Sequence, residues 1–385
     1  MSALRENLVA QAKKIGEKVV AAHAADVDTK ARFPSESFAA LKEAKLLSAM
    51  VPKEHGGQGA TVSDIAAVCT ALGHYCSSTA MVYAMHQSQV ACIIRHWGTS
   101  PWQKNFMAEM CKQELLLASA TSEAGIGGDV RTSSCSVEAT GGNFTLAKNA
   151  TVISYGAHAD AICVTARRTP ESPPSDQVLV VCPKGTYTLE QTSNWDTMGM
   201  RGTCSNGFWL RAKGSVDQVL PTPYADISAQ TMLPSAHVFW ASLWLGIASE
   251  AVNRARVFIR GEARKKPGST PPGAVRLAEA SNQLQLMRAN VTECCAAYEA
   301  AMTNTDALTS LGFAIRMNHL KTGTSQMAID VVNRALLING IHGYKNDSPF
   351  SVGRHLRDAH SSQVMVSNDR IYGTTASLLL VHKED

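Results

Sequence analysis

The chain of 385 residues is short of charge, of paired cysteines and of long apolar runs, and each shortage excludes a class of protein. Only 18% of the residues are charged, and 36 basic against 32 acidic residues leave a net +4, too weak a field for a general nucleic-acid partner. Low charge beside 45% apolar residues equally excludes disorder as a description of the whole. The longest apolar-type run, Val238 to Ala248, covers 11 residues. A spanning helix needs about 20, so no membrane span is expected. The ten cysteines include no pair at CxxC spacing, which argues against a structural zinc site, and no disulfide framework is indicated. The 27 glycines and 14 prolines show no triplet period, which excludes a collagen-like chain.

What remains is ample apolar material for two or three packed domains. The first residues, MSALRENLVAQAKKIGEKVV, mix acids among the lysines and lack an apolar stretch before a small-residue cleavage site, so they read as a first helix and a cytoplasmic setting is expected. Helical periodicity continues to about residue 115, punctuated by Pro34, by the PKEHGGQGAT loop and by a capping Ser63-Asp64. From 116 to about 232 the texture changes to short runs such as AICVTA and QVLVVC between Gly, Pro, Asn and Asp clusters. Four long helical patterns then follow, at about 234–264, 275–302, 306–338 and 349–380. The expected fold is mostly α with a central β-domain: a helical domain over 1–115, an antiparallel, barrel-like β-domain over 116–232 and a four-helix bundle over 233–385. Helices, then strands, then helices argue against a doubly wound nucleotide-binding sheet.

Several segments carry weak signals that gain weight from their order. TSEAGIGGDVR (121–131) is a glycine-rich loop after an apolar run, able to bring backbone N–H groups close to a ligand or to serve as an ordinary turn. TVISYGAHAD (151–160) places Ser154 at the end of a β-like run, and WDTMGMRGTCSNGF (195–208) adds a further glycine-punctuated segment. Together they resemble the TEPxAGSD, KxWIT(N)G and GxR(G/A)(S/T) segments of the acyl-CoA dehydrogenase superfamily. The resemblance extends to VPKEHGGQGA (PxxxGGxG), to GIASEAVNRARVFIRGEARKKPG (GxAxxAxxxAxxYxxxRxxFG) and to HLRDAHSSQVMVSNDRIYGTTASLL (RD…IYEGTxxI). It implies FAD held between β-domain and bundle, with FMN as the alternative flavin. It also implies an acyl thioester against the flavin ring, oxidised by α-proton removal and hydride transfer to flavin N5, and a dimer or tetramer that completes the cofactor site. It identifies no electron acceptor.

Carried over residue by residue, the resemblance puts Ser122 and Ser154 at the two hydroxyl positions beside the flavin, Thr121 with its backbone toward the ring, and Val152 where the family has a stacking Trp. Thr375 matches the Thr of the terminal motif. Arg264 corresponds to the Arg of RxxFG after a two-residue slip, with Pro267 in place of the aromatic, and Gly340 is the retained glycine of QxxGG. Arg256, Arg260 and Arg264 recur every four residues, so they share a helix face that suits either phosphates or solvent.

The departures fall on the substrate side. Gly373 stands where the resemblance puts the catalytic Glu, Arg254 and Arg256 lie near the alternative position for it, Gly128 replaces a substrate-contacting Ser, and His237 replaces an Arg. Removing an α proton from a thioester requires a positioned base, worth about 10²–10⁴-fold. Asp369 is the leading substitute, ahead of Tyr372, with a helix-capping role as its alternative. His237 is a candidate proton donor or substrate contact, or a satisfied core histidine. His355 and His360, five apart on one helix, point to different faces and make no metal pair. Two other readings stay open: a flavin monooxygenase on the same fold, which takes reduced flavin and oxygen and needs no such base, and a catalytically silent binding homologue.

Overall fold

Helix starts follow the local capping chemistry. Thr61 and Asp64 form a reciprocal capping box at the head of α4 (Val62–Gly73), and Ser100 accepts the Gln103 N–H at 3.2 Å where Pro101 opens α6 (Pro101–Gln113). The computed structural model describes residues 2–127 and 129–383. Before α4 stand α1 (Ala3–Ile15), α2 (Ala21–Thr29) and α3 (Ser35–Glu43), with a wider helical turn at Gly16–Val20 joining the first two. The 20-residue α5 (Ser77–His96) is buried on nearly every face, including its polar stretch from His86 to Gln89.

Strands β1 (Leu117–Ala120), β2 (Glu138–Thr140), β3 (Asn143–Ala150), β4 (Ala161–Arg167), β5 (Gln177–Pro183), β6 (Tyr187–Ser193) and β7 (Gly207–Ser215) follow. They form a three-stranded sheet in the order β1-β4-β5 and a four-stranded sheet in the order β2-β3-β7-β6. The central β-domain is as expected, with two corrections of detail. The pairing is not wholly antiparallel, because β1 runs parallel to β4, Leu117 opposite Ala161. The described strands form two separate sheets and do not close into a barrel. β4 and β5 are buried on both faces, as their unbroken apolar sequences require, whereas β3 alternates.

The C-terminal helices are α7 (Tyr224–Ile227), α8 (Leu233–Lys265), α9 (Ala274–Ala301), α10 (Thr305–Thr309), α11 (Leu311–Asn339), α12 (Ile341–Tyr344), α13 (Gly353–Val364) and α14 (Asn368–Leu379). The helix expected over 349–380 is therefore two helices. They are divided at 365–367, where Val366 takes φ +46°. Periodicity runs through this break because the turn residues Met365 and Val366 are themselves apolar.

The N-terminal helices are docked onto the bundle at a glycine crossing. A Cβ on Gly73 would lie 2.5 Å from the Leu243 carbonyl oxygen, and one on Gly246 would lie 2.3 Å from that of Thr70, so α4 and α8 approach backbone to backbone. His86 ties α5 to the three-stranded sheet. The Leu117 N–H donates to its Nδ1 at 3.0 Å, which leaves Nε2–H to donate to the Leu47 carbonyl at 2.9 Å.

Burial lowers the pKa of His86, His96 and His237 to about 4 each, and that of His355 further. These imidazoles are neutral in the folded chain and ordinary in the unfolded one, so only the unfolded state takes up their protons between about pH 6.5 and 4. Stability is expected to be full above about pH 6.5 and to fall as the pH drops, each histidine adding up to about 1.4 kcal/mol per pH unit to the slope. Denaturant titrations at pH 7.5, 6 and 5 measure it, and a flat profile would contradict the assignment.

Candidate active site

Ser122 lies just beyond β1, and Ser154 lies in the loop after β3, four residues past the strand end and not at the end of a strand. The Ser122 hydroxyl donates to the Val152 carbonyl at 2.9 Å and accepts the Val152 N–H at 3.2 Å, so the two segments form one edge. Thr121, Ser122 and Ser154 are half-buried there, and Val152 is 37% exposed. Ser154 continues into a chain of hydroxyls: its Oγ lies 2.8 Å from Ser205 Oγ, which lies 2.8 Å from Thr203 Oγ1, which donates to the Met200 carbonyl at 2.9 Å.

Behind this edge is a buried ion pair that sequence reading missed. Lys148 is the inward residue of β3 after Phe144 and Leu146, and its Nζ lies 3.2 Å from Glu123 Oε2 and 2.8 Å from the Thr165 carbonyl. Glu123 also accepts Ser133 Oγ–H at 2.7 Å and the backbone N–H groups of Ser134 and Cys135 at 3.1 and 2.8 Å. Burial pushes its carboxyl up, but the Lys148 charge and these hydrogen bonds outweigh that and hold it below its ordinary range. A charged residue on the inward phase of an alternating strand was the available signal.

A second support comes from α13. Asp358, 2% exposed, accepts the Met200 N–H at 2.7 Å, and Arg357 donates to the Met198 carbonyl at 2.8 Å while pairing with Asp28. Gly199 is pressed against α13: a Cβ there would be 2.3 Å from the Arg357 carbonyl oxygen. This clamp fixes the segment from which the hydroxyl chain emerges.

The start of α14 reaches the loop that follows Ser122. Arg370 donates to the Gly127 carbonyl at 2.6 Å, across the turn in which Gly125 and Gly127 take φ +89° and +60°. Asp369, beside it, is exposed in the first turn of α14. Gly373 lies one turn further on, inside the helix, with open space around it. Gly373→Ala is expected to raise stability by about 0.5–1 kcal/mol, since an exposed mid-helix glycine costs that much relative to alanine; a denaturant midpoint that falls would contradict this.

Four sequence candidates stand elsewhere. His237, 3% exposed in α8, donates from Nδ1 to the Met317 carbonyl at 3.0 Å, and burial keeps it neutral at physiological pH. The ring is thus buried and hydrogen-bonded between α8 and α11. Thr375 is buried inside the bundle, its hydroxyl accepting from Asn318 Nδ2 at 3.0 Å. Arg264, in the last turn of α8, and Gly340, just beyond α11 at φ +55°, are exposed, and no hydrogen bond or ion pair of the described residues links them to the Ser122–Ser154 edge. Gly128 lies outside the described residues. Among the described residues no three His, Cys, Asp or Glu side chains converge as metal ligands, all ten cysteines are free, and no helix is long and apolar enough to cross a membrane.

The described chain thus consists of helices, two sheets and a second set of helices, with the last helix bound to the loop that follows Ser122. Residues 2–114 match the family model for the acyl-CoA dehydrogenase N-terminal domain and 238–369 that for the C-terminal domain. The chain belongs to the acyl-CoA dehydrogenase superfamily. It is 25% identical over 368 residues to cyclohex-1-ene-1-carbonyl-CoA dehydrogenase of Syntrophus aciditrophicus (strain SB), covering 94% of this chain and 86% of that one. Butyryl-CoA dehydrogenase of Megasphaera elsdenii superposes with a TM-score of 0.82 at 21% identity over 99% of each chain. FMN-bound TdsC of Paenibacillus sp. A11-2, a dibenzothiophene monooxygenase, superposes with 0.84 at 17% identity over 100% and 98%.

Proposed function

We propose that this protein is a flavin-dependent oxidoreductase that oxidises an acyl thioester. The reading rests on one observation above all: the segment bonded to Val152 through Ser122 runs on into a glycine turn to which α14 is bound through Arg370. The edge suits a flavin because it combines hydroxyl and backbone groups on two segments locked to each other. A bound flavin, FAD with FMN as the alternative, supplies two-electron acceptance. Ser122 and Ser154 orient its ring edge, Thr121 presents backbone, and the small Val152 leaves room beside it. Asp369 is the base for the α proton, placed at the rim of the same turn by its neighbour Arg370. His237 stays neutral and holds α8 to α11. A dimer or tetramer completes the site with groups beyond this edge.

A second reading, a monooxygenase taking reduced flavin and oxygen, is favoured by Gly373, which offers no side chain where the resemblance puts the base, and by the fold shared with TdsC. The two differ in product. Turnover of acyl thioesters with an artificial electron acceptor in the absence of oxygen is expected to give the α,β-unsaturated thioester. Product formed only with oxygen present, and carrying ¹⁸O from ¹⁸O₂, would replace the first reading by the second.

A further inference from the structure

Lys321 is wholly buried in the middle of α11 and has no carboxylate partner among the described residues. A buried ammonium is costly unless its protons are satisfied. Here its Nζ donates to the Val366 carbonyl at 2.8 Å and to Asn368 Oδ1 at 2.7 Å, and it stands 5.9 Å from the centre of the Trp244 ring. Asn368 in turn donates to Ser325 Oγ at 2.9 Å, and Ser325 Oγ–H donates to the Thr322 carbonyl at 2.8 Å. One acceptor of the lysine therefore lies in the turn between α13 and α14, and the other opens α14.

That turn is strained. Val366 holds φ +46°, a region costly for a β-branched side chain, and its side chain is 48% exposed, so apolar packing does little to hold it there. What holds it is the bond from within. The next residues are Asp369 and Arg370, the latter bound to the Gly127 carbonyl.

We propose that Lys321 is a positioning residue: its buried ammonium clamps the Val366 turn and thereby sets where the first turn of α14 stands over the glycine-rich loop. For its effect on turnover the inference rests on the function proposed above, but the clamp itself does not. Burial lowers the lysine to about 8, as expected for a cation held by dipoles and not by an anion.

The test is amide hydrogen exchange over residues 366–374 of the full-length, flavin-loaded protein, with acyl-thioester kinetics in parallel. Lys321→Met is expected to speed exchange in that segment at least tenfold while leaving the middle of α8 unchanged, and to lower kcat about tenfold with KM within twofold. Val366→Gly, which removes the strain, is expected to recover at least threefold of the lost protection when combined with K321M, because glycine needs no clamp at φ +46°. Should K321M not fold, Asn368→Ala, which leaves the lysine in place, is read in the same way. Unchanged exchange over 366–374, loosening spread evenly over α8 and α11, or no recovery with V366G would overturn the proposal. A loosened and rescued segment with unaltered turnover would uphold the clamp and overturn Asp369 as the base.

Discussion

Glu123→Ala is expected to destabilise the protein by about 3–5 kcal/mol, because it strands a fully buried ammonium and two backbone N–H groups at once. Lys148 is 0% exposed and Glu123 6%, so neither water nor another carboxylate can replace the lost partner without opening the sheet. The effect is specific to breaking the pair. Replacing both partners with apolar groups, as in Glu123→Leu with Lys148→Met, removes both charges and is expected to recover much of that loss. Ser122 immediately precedes Glu123, so the single variant is also expected to lose flavin at protein concentrations where the parent retains it. Urea denaturation of the two variants beside the parent measures the energy. A single variant within about 0.5 kcal/mol of the parent would show that the pair contributes far less than its burial implies.

Asp369→Asn is expected to lower kcat on acyl thioesters by about 10²–10⁴-fold, the range general base catalysis supplies. The substitution keeps the shape of an exposed residue in the first turn of α14, where a carboxylate adds only about 0.3–1 kcal/mol to helix stability. Folding and flavin content are therefore expected to stay near those of the parent. Steady-state kinetics separates the roles: a lost base lowers kcat, whereas a merely capping residue leaves it and shifts the melting temperature by a degree or two. Unchanged turnover would return Asp369 to the helix-capping role and favour chemistry without a carboxylate base.

Much of the fold was legible because its signals are local. Pro34 stands at the head of α3 and the runs at 161–166 and 177–182 are β4 and β5, whereas the cap of α4 falls on Thr61 with Asp64 and not on Ser63. The break at 365–367 was hidden because Met365 and Val366 are themselves apolar, and Lys321, which bonds the Val366 carbonyl, lies far back in the sequence on another helix. The site divides in the same way. Ser122 and Ser154 were singled out through motif order, and Ser122 is bonded to Val152, two residues before Ser154. Their supports were not found, because Asp358 on Met200, Arg370 on Gly127 and Lys148 on Glu123 are long-range pairs with no short motif. His237 illustrates the converse: its place in the motif suggested chemistry, whereas its ring is buried and bonded to the Met317 carbonyl, which no motif indicates.

The central claim is that the edge formed by Ser122, Val152 and Ser154 holds a flavin that an acyl thioester reduces. It is tested most directly by anaerobic titration of the purified protein with acyl-CoA thioesters of several chain lengths, followed through the visible flavin spectrum. The account predicts an oxidised flavin spectrum at the start and bleaching by at least one thioester. An absence of bound flavin, or an oxidised spectrum untouched across the series, would contradict it.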